Sequence, residues 1–235
     1  MKQIYDGIAE RITNSYYGYK ILAAYLAYGA EYDFCKFYSC GEGIVHIYNS
    51  SMVIDGKCDV SELEMIVEMT KPVTLEVASG IALQLRDGYE RCHRTLFGLK
   101  SHINDISIDD VKVNCCTGYC YEILAESFEN MGSYESWYVD INHRIRHNVA
   151  NLYLFDSTKA TQQFNINGFV FLSHIATAEA ARGKGTARKL LYYLAAKYES
   201  ENCKAYLWSL DHRKSFYESI GFEPVAEDIL YEMEG

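Results

Sequence analysis

Arg182-Gly183-Lys184-Gly185-Thr186-Ala187 is the stretch of this chain best suited to holding a multiply charged anion. It stands between an apolar run, Gly168 to Thr177, that reads as a strand, and Ala187 to Tyr198, where Leu190, Leu191, Leu194 and Ala195 recur at helical spacing. Two glycines in four residues let the backbone turn sharply and come close to a ligand. The first N–H groups of the following helix have no intrahelical partner, and that end of its dipole favours negative charge. Arg182, Lys184 and Arg188 add formal positive charge. Gly183, Lys184, Gly185, Thr186 and Ala187 thus outline a cradle for a pyrophosphate. A triphosphate loop of the Gly-x-x-x-x-Gly-Lys-Ser/Thr kind is excluded, because Gly185 follows Gly183-Lys184 and position 178 is Ala.

Two further residues could move protons near such an anion. Tyr217, in a short helix after the next strand, could protonate an anionic leaving group. His174, on the strand that feeds the loop, is a natural base for an amine. Strand alternation sets its side chain opposite to Ser173 and Ile175, so a buried core histidine is the competing reading. Glu122, Asp140 and His143 are possible substrate-side groups, and a water relay without a dedicated base is the other route. Among the 8 cysteines no Cys-x-x-Cys pair occurs; the tightest group, Cys115, Cys116 and Cys120, lacks the spacing and the fourth ligand of a metal site. No metal is expected, and the thiols read as reduced and mostly buried.

The elements that must position these groups are ordinary for a globular chain of 235 residues with 49% hydrophobic and 23% charged residues. The net charge of −10 and the lack of a basic cluster speak against nucleic acid as a partner. No apolar run reaches the ~20 residues of a membrane span. Met1 to Gly7 does not read as an export signal, so a cytoplasmic location is expected. The sequence leaves a homo-oligomer open. Ile4, Ile8 and Ile12 suggest a first helix, and Tyr19 to Ala30 a second. Strands follow at 34–39, 43–49 and 51–54. Asp59 with Glu62 caps a helix, Val73 to Val77 is a strand, and Ile81 to Arg86 a short helix. Beyond an acidic stretch at 101–110, strands and helices alternate. The chain ends in two short strands around Pro224. The fold class is α+β with a mixed sheet, divided into residues 1–105 and 106–235.

The second half resembles the GNAT acetyltransferase superfamily. Three pieces carry the resemblance: the strand Phe169 to Thr177, the loop with Arg182, Gly185 and Ala187 at the marked positions of Arg/Gln-x-x-Gly-x-Gly/Ala, and the helix end Ser215-Phe216-Tyr217-Glu218-Ser219-Ile220-Gly221-Phe222. The resemblance implies a splayed mixed sheet that binds acetyl-CoA as cosubstrate. Residues 183 to 187 would then hold the pyrophosphate, main-chain groups near Ala176 and Thr177 the pantetheine arm, and Tyr217 would protonate the departing thiolate. Asp211 stands where the family often has Asn, and Glu179 where it often has Pro. An amine acceptor would attack the thioester directly. Residues 1–105 loosely parallel part of such a domain, as a degenerate copy that shapes the acceptor pocket. The rival readings are a CoA-binding sensor without catalysis and an interaction protein that keeps the fold alone.

Overall fold

The computed structural model describes residues 1–78, 80–85, 88–102, 107–129 and 131–233. By its contacts the chain divides into two units, Met1–Arg94 with Glu227–Gly235, and Thr95–Ala226. The boundary expected at residues 105 and 106 lies outside the described residues.

In the first unit the order is β1 (Lys2–Ile4), α1 (Tyr16–Tyr28), β2 (Cys35–Cys40), β3 (Gly43–Tyr48), β4 (Ser51–Asp55), α2 (Val60–Thr70) and β5 (Thr74–Val77). Strands β6 (Tyr89–Gly98) and β12 (Glu223–Met233) each contribute residues to both units. Neighbouring strands pair antiparallel from β1 to β4, β4 and β5 run parallel, and β12 lies antiparallel to β5 through Leu230↔Glu76. Ser15 caps α1 by accepting from the Gly18 N–H, and Asp59 caps α2 by accepting from the Glu62 N–H. The helix expected from Ile4, Ile8 and Ile12 does not form. Gly7 takes φ +66° between them, Ile4 lies in β1, and Ile8 is buried on its own. Ile81 to Leu85 carries no regular structure, and Arg86 lies outside the described residues.

The second unit holds β7 (Val111–Val113), α3 (Thr117–Ala125), α4 (Tyr134–Arg146), β8 (Asn151–Phe155), β9 (Thr158–Ile166), β10 (Phe169–Thr177), α5 (Thr186–Ser200), β11 (Lys204–Leu210) and α6 (Asp211–Ser219). Its strand order is β6-β11-β10-β9-β8-β7, with β10 and β11 parallel and β7 to β10 antiparallel. Leu190, Leu191, Leu194 and Tyr198 of α5 pack with Tyr217 of α6 onto Ala160, Val170, Leu172 and Leu207. Cys120, Ile123 and Leu124 of α3 cover Leu154 and Ala176, while Ile141 of α4 covers Leu152. Val170 to Leu172 of β10 are thus buried on both faces, which is why the first half of that strand reads as a continuous apolar run. The two strands expected around Pro224 are one strand, β12. Pro224 is its second residue, near the strand start, where a missing N–H is tolerated.

The first unit contains a buried charge cluster. Arg94 donates to Glu76 at 2.8 Å and to Asp228 at 2.9 Å, Lys20 also pairs with Glu76, and the Tyr17 hydroxyl donates to Asp228. Burial alone raises the Glu76 carboxyl, but the charges of Lys20 and Arg94 outweigh it and leave it lowered to about 2. A carboxylate lowered by folding stabilises above its unfolded value near 4.5 and loses that contribution as pH falls toward 2. Arg94→Ala leaves two buried carboxylates short of their partner and should cost about 3–5 kcal/mol in urea unfolding at pH 7. The deficit should shrink below pH 4; a cost under about 1 kcal/mol at pH 7 contradicts this reading of the cluster.

Candidate functional site

The site begins where β10 and β11 part. Their register holds for three pairs, Phe169↔Lys204, Val170↔Ala205 and Phe171↔Tyr206, and then ends. The register of β10 with β9 runs on to Thr177↔Thr158. One parallel neighbour has therefore left the edge of β10 over its second half. An extended ligand can add there as a strand, through main-chain groups near Ala176 and Thr177.

A bulge lies in the same segment. Between Ser173↔Thr161 and Ala176↔Lys159, β10 advances three residues and β9 two. His174 takes up the extra residue at φ +48°, in the left-handed region. This breaks the alternation that would set His174 opposite to Ser173. Instead Ser173 Oγ and His174 Nδ1 stand 3.4 Å apart, and Gln163 Nε2 lies 2.7 Å from the first and 3.3 Å from the second. His174 is half-buried. Its ring meets Phe128 edge-on at 5.7 Å, and the Arg213 guanidinium of α6 lies 5.7 Å from the same Phe128 ring.

Past β10, Glu179–Ala181 form one 3-10 turn and the chain enters the glycine loop. Gly183 and Gly185 adopt φ +79° and +75°, which a residue with Cβ takes at a cost of ~1–2 kcal/mol. Gly185 sits at the N-cap of α5; it offers no side-chain cap, and the first turn holds no acid. The orphan N–H groups of that turn and the exposed Lys184 and Arg188 remain available to an anion. Arg182 is used within the protein: its Nε donates to the Thr177 carbonyl at 3.2 Å and its guanidinium to Ser127 Oγ at 3.4 Å. It therefore staples the loop to the end of β10 and to the segment after α3.

Three threonines fix the helix start to the strands. Thr158 Oγ1 lies 2.8 Å from Thr177 Oγ1 and 2.7 Å from Thr186 Oγ1, with Thr158 fully buried. Thr158 opens β9 and has no partner pattern in the sequence, so composition and spacing did not mark it. Ala176 is buried opposite Lys159, and Ala187 is half-buried in the first turn of α5.

Tyr217 lies in α6 with 7% of its surface exposed, against Phe97, Phe216 and Phe222. Burial pushes its phenol up to about 12, with a small opposing effect from Arg213. It stays protonated throughout the neutral range. Asp211 is the first residue of α6 and is exposed; His212 is exposed beside Arg213. Glu122 is exposed on α3, and Asp140 and His143 are half-buried on α4, His143 with its ring 4.4 Å from that of His147. Among the described residues no group of three or more His, Cys, Asp or Glu side chains could hold a metal ion, and no helix is long and apolar enough to cross a membrane.

Lys159 escaped the sequence reading entirely. In Thr158-Lys159-Ala160-Thr161 it looks like a solvated charge, yet it is fully buried. Its Nζ donates to Thr161 Oγ1 at 2.6 Å and lies 6.0 Å from the Trp137 ring. Burial lowers its ammonium to about 7, with a small opposing effect from Cys120.

Residues 133–224 match the family model for the acetyltransferase (GNAT) domain. No curated protein sequence matches the chain. Among solved structures, a GCN5-related N-acetyltransferase from Kribbella flavida is similar, with 14% identity, TM-score 0.57, and coverage of 91% of this chain and 96% of that one. A Drosophila protein gives 11% identity and TM-score 0.60 over 99% and 97% of the two chains. A tandem GNAT protein from the clavulanic acid biosynthesis pathway gives 11% identity and TM-score 0.54 over 90% and 86%. At these identities the likeness is one of fold. The mixed sheet and its flanking helices follow the GNAT fold, and residues 133–224 are similar in sequence to the GNAT acetyltransferase domain.

Proposed function

We propose that the chain is an acyl-CoA-dependent N-acyltransferase that moves an acetyl group from acetyl-CoA to a primary amine by direct attack. The observation that carries this reading is the parting of β10 from β11 just before an uncapped helix start with two left-handed glycines. A long donor with an anionic middle and an extended arm fits that path. Its pyrophosphate would meet the N–H groups of residues 183 to 187, its pantetheine arm the edge near Ala176 and Thr177, and its thioester the bulge at Ser173 and His174. The acceptor nitrogen forms a bond to the thioester carbon, the C–S bond breaks, and the sulfur leaves with the Tyr217 proton. Burial pushes the Tyr217 phenol up to about 12, so Tyr217 carries that proton at neutral pH. His174, in the bulge, is the nearest candidate to receive the proton that the nitrogen sheds.

The first unit reads as a degenerate copy of the same unit. It repeats strand, loop, helix and parallel strand as β4, residues 56–59, α2 and β5. Its described turn between β4 and α2 lacks the anion-holding features of the α5 turn. The β4–β5 register runs unbroken from Ser51↔Thr74 to Ile54↔Val77. Asp59 already fills the start of α2, and Glu62 adds a second negative charge in the first turn.

Two outcomes follow. Titration of the full chain with acetyl-CoA should give one site per chain, and at 100 times the dissociation constant a gain of ~2.7 kcal/mol in thermal stability. Two sites, or no stabilisation at millimolar acetyl-CoA, would contradict the reading. With a panel of an aliphatic diamine, an aminoglycoside, an α-amino acid and a lysine peptide, Tyr217→Phe should lower thiol release by about 10²–10⁴ with acetyl-CoA affinity unchanged. Wild-type turnover in that variant removes Tyr217 from the chemistry.

A further inference from the structure

Lys159 and Thr161 occupy alternate positions of β9, so their side chains share one face of the strand; Gln163, the extra residue of a register shift between Phe164↔Phe171 and Gln162↔Leu172, reaches the same side by donating to Ser173 Oγ at 2.7 Å. That face looks toward α3 and α4: Leu154 and Ala176, the strand partners of Lys159, pack under α3, and Leu152, the partner of Thr161, packs under α4. The row is polar in an otherwise apolar layer. Lys159 Nζ reaches Thr161 Oγ1, Thr161 stands directly opposite Ser173, and Ser173 Oγ is held by Gln163 beside His174 Nδ1. Facing residues of an antiparallel pair bring their side chains within ~5 Å, a span that one bridging water closes.

Among the described residues, the groups packed around Lys159 give its ammonium no carboxylate counter-ion. From α3 comes the Cys120 thiol, itself pushed up to about 11 by burial, and from α4 the uncharged Trp137 ring. Leu154 of β8 and Ala176 of β10 bring no charge. A methionine would fill the space without the desolvation cost, so the lysine is explained poorly as packing.

We propose that Lys159 is the proton sink of the acyl-transfer site, a positioning residue that takes up, through Thr161, Ser173 and His174, the proton shed by the attacking amine. The inference rests on the acyltransferase reading above. An acceptor that arrives as an ammonium must lose two protons. One replaces the proton that Tyr217 gives to the sulfur. The other passes from His174 Nδ1 to the hydroxyl row and converts the Lys159 amine to an ammonium, which returns it to water before the next turnover. The lowered ammonium of Lys159, at about 7, lets the amine form be populated at neutral pH.

The test is the pH profile of thiol release from acetyl-CoA, using the fastest amine of the panel, for wild type, Lys159→Met and Thr161→Val. Thr161→Val keeps the shape of the side chain and cuts the link while leaving the lysine in place. Both variants should be about 10²-fold slower at pH 7 in kcat/KM, with the deficit closing as pH approaches the amine's own pKa. Acetyl-CoA should stabilise both as it does wild type. In ¹³C NMR of the lysine-labelled full chain, one lysine Cε should titrate near neutral pH, and that signal should vanish in Lys159→Met. An unchanged profile in either variant, or a loss equal at every pH, overturns this inference while leaving the acyltransferase intact. No thiol release by wild type with any amine of the panel overturns both.

Discussion

The separation of two parallel strands is the constraint on which the site depends. Strands β10 and β11 begin as neighbours and lose their register after Phe171↔Tyr206. A sheet does not give up ladder hydrogen bonds without other contacts to hold the strands. Here β10 is held from the other side. Its pairing with β9 continues to its last residue, and the Thr158, Thr177 and Thr186 hydroxyls tie that last residue to the start of α5. Arg182 adds a second tie, to the Thr177 carbonyl. The strand end, the glycine loop and the helix start are thus tied to one another by side-chain hydrogen bonds beside the open edge of β10.

The bulge belongs to the same design. One extra residue in β10 turns Ser173 and His174 toward a common partner, Gln163, at the place where the strands part. A regular strand would have put His174 on the α5 side with Leu172, away from Ser173. Polar side chains therefore gather at the site while Val170 and Leu172, just before the bulge, complete the core under α5.

Much of this was legible in the sequence, for identifiable reasons. Gly183 and Gly185 advertise left-handed backbone because few other residues adopt it, and Asp59 with Glu62 announces a helix start because the cap is a local device. The amphipathic α5 showed its buried face through leucine spacing. What escaped is non-local. The bulge at His174 depends on the register of β9, two strands' worth of pairing that no short motif encodes. Lys159 looks polar in sequence and is buried because α3 and α4 close over β9. Ile4, Ile8 and Ile12 have helical spacing, but Gly7 and the pairing of β1 with β2 override it. The uptake of residues 227–235 by the first unit likewise follows from strand pairing with β5, far away in the chain.

The central claim is that one helix start of the chain, that of α5, is an anion cradle continuous with the open edge of β10, and that the similar turn before α2 is not. Hydrogen–deuterium exchange of the full chain with and without acetyl-CoA tests it directly. The account predicts slowed exchange across residues 172–189 and unchanged exchange across residues 51–62. Equal protection of both segments, or none in the first, would contradict it.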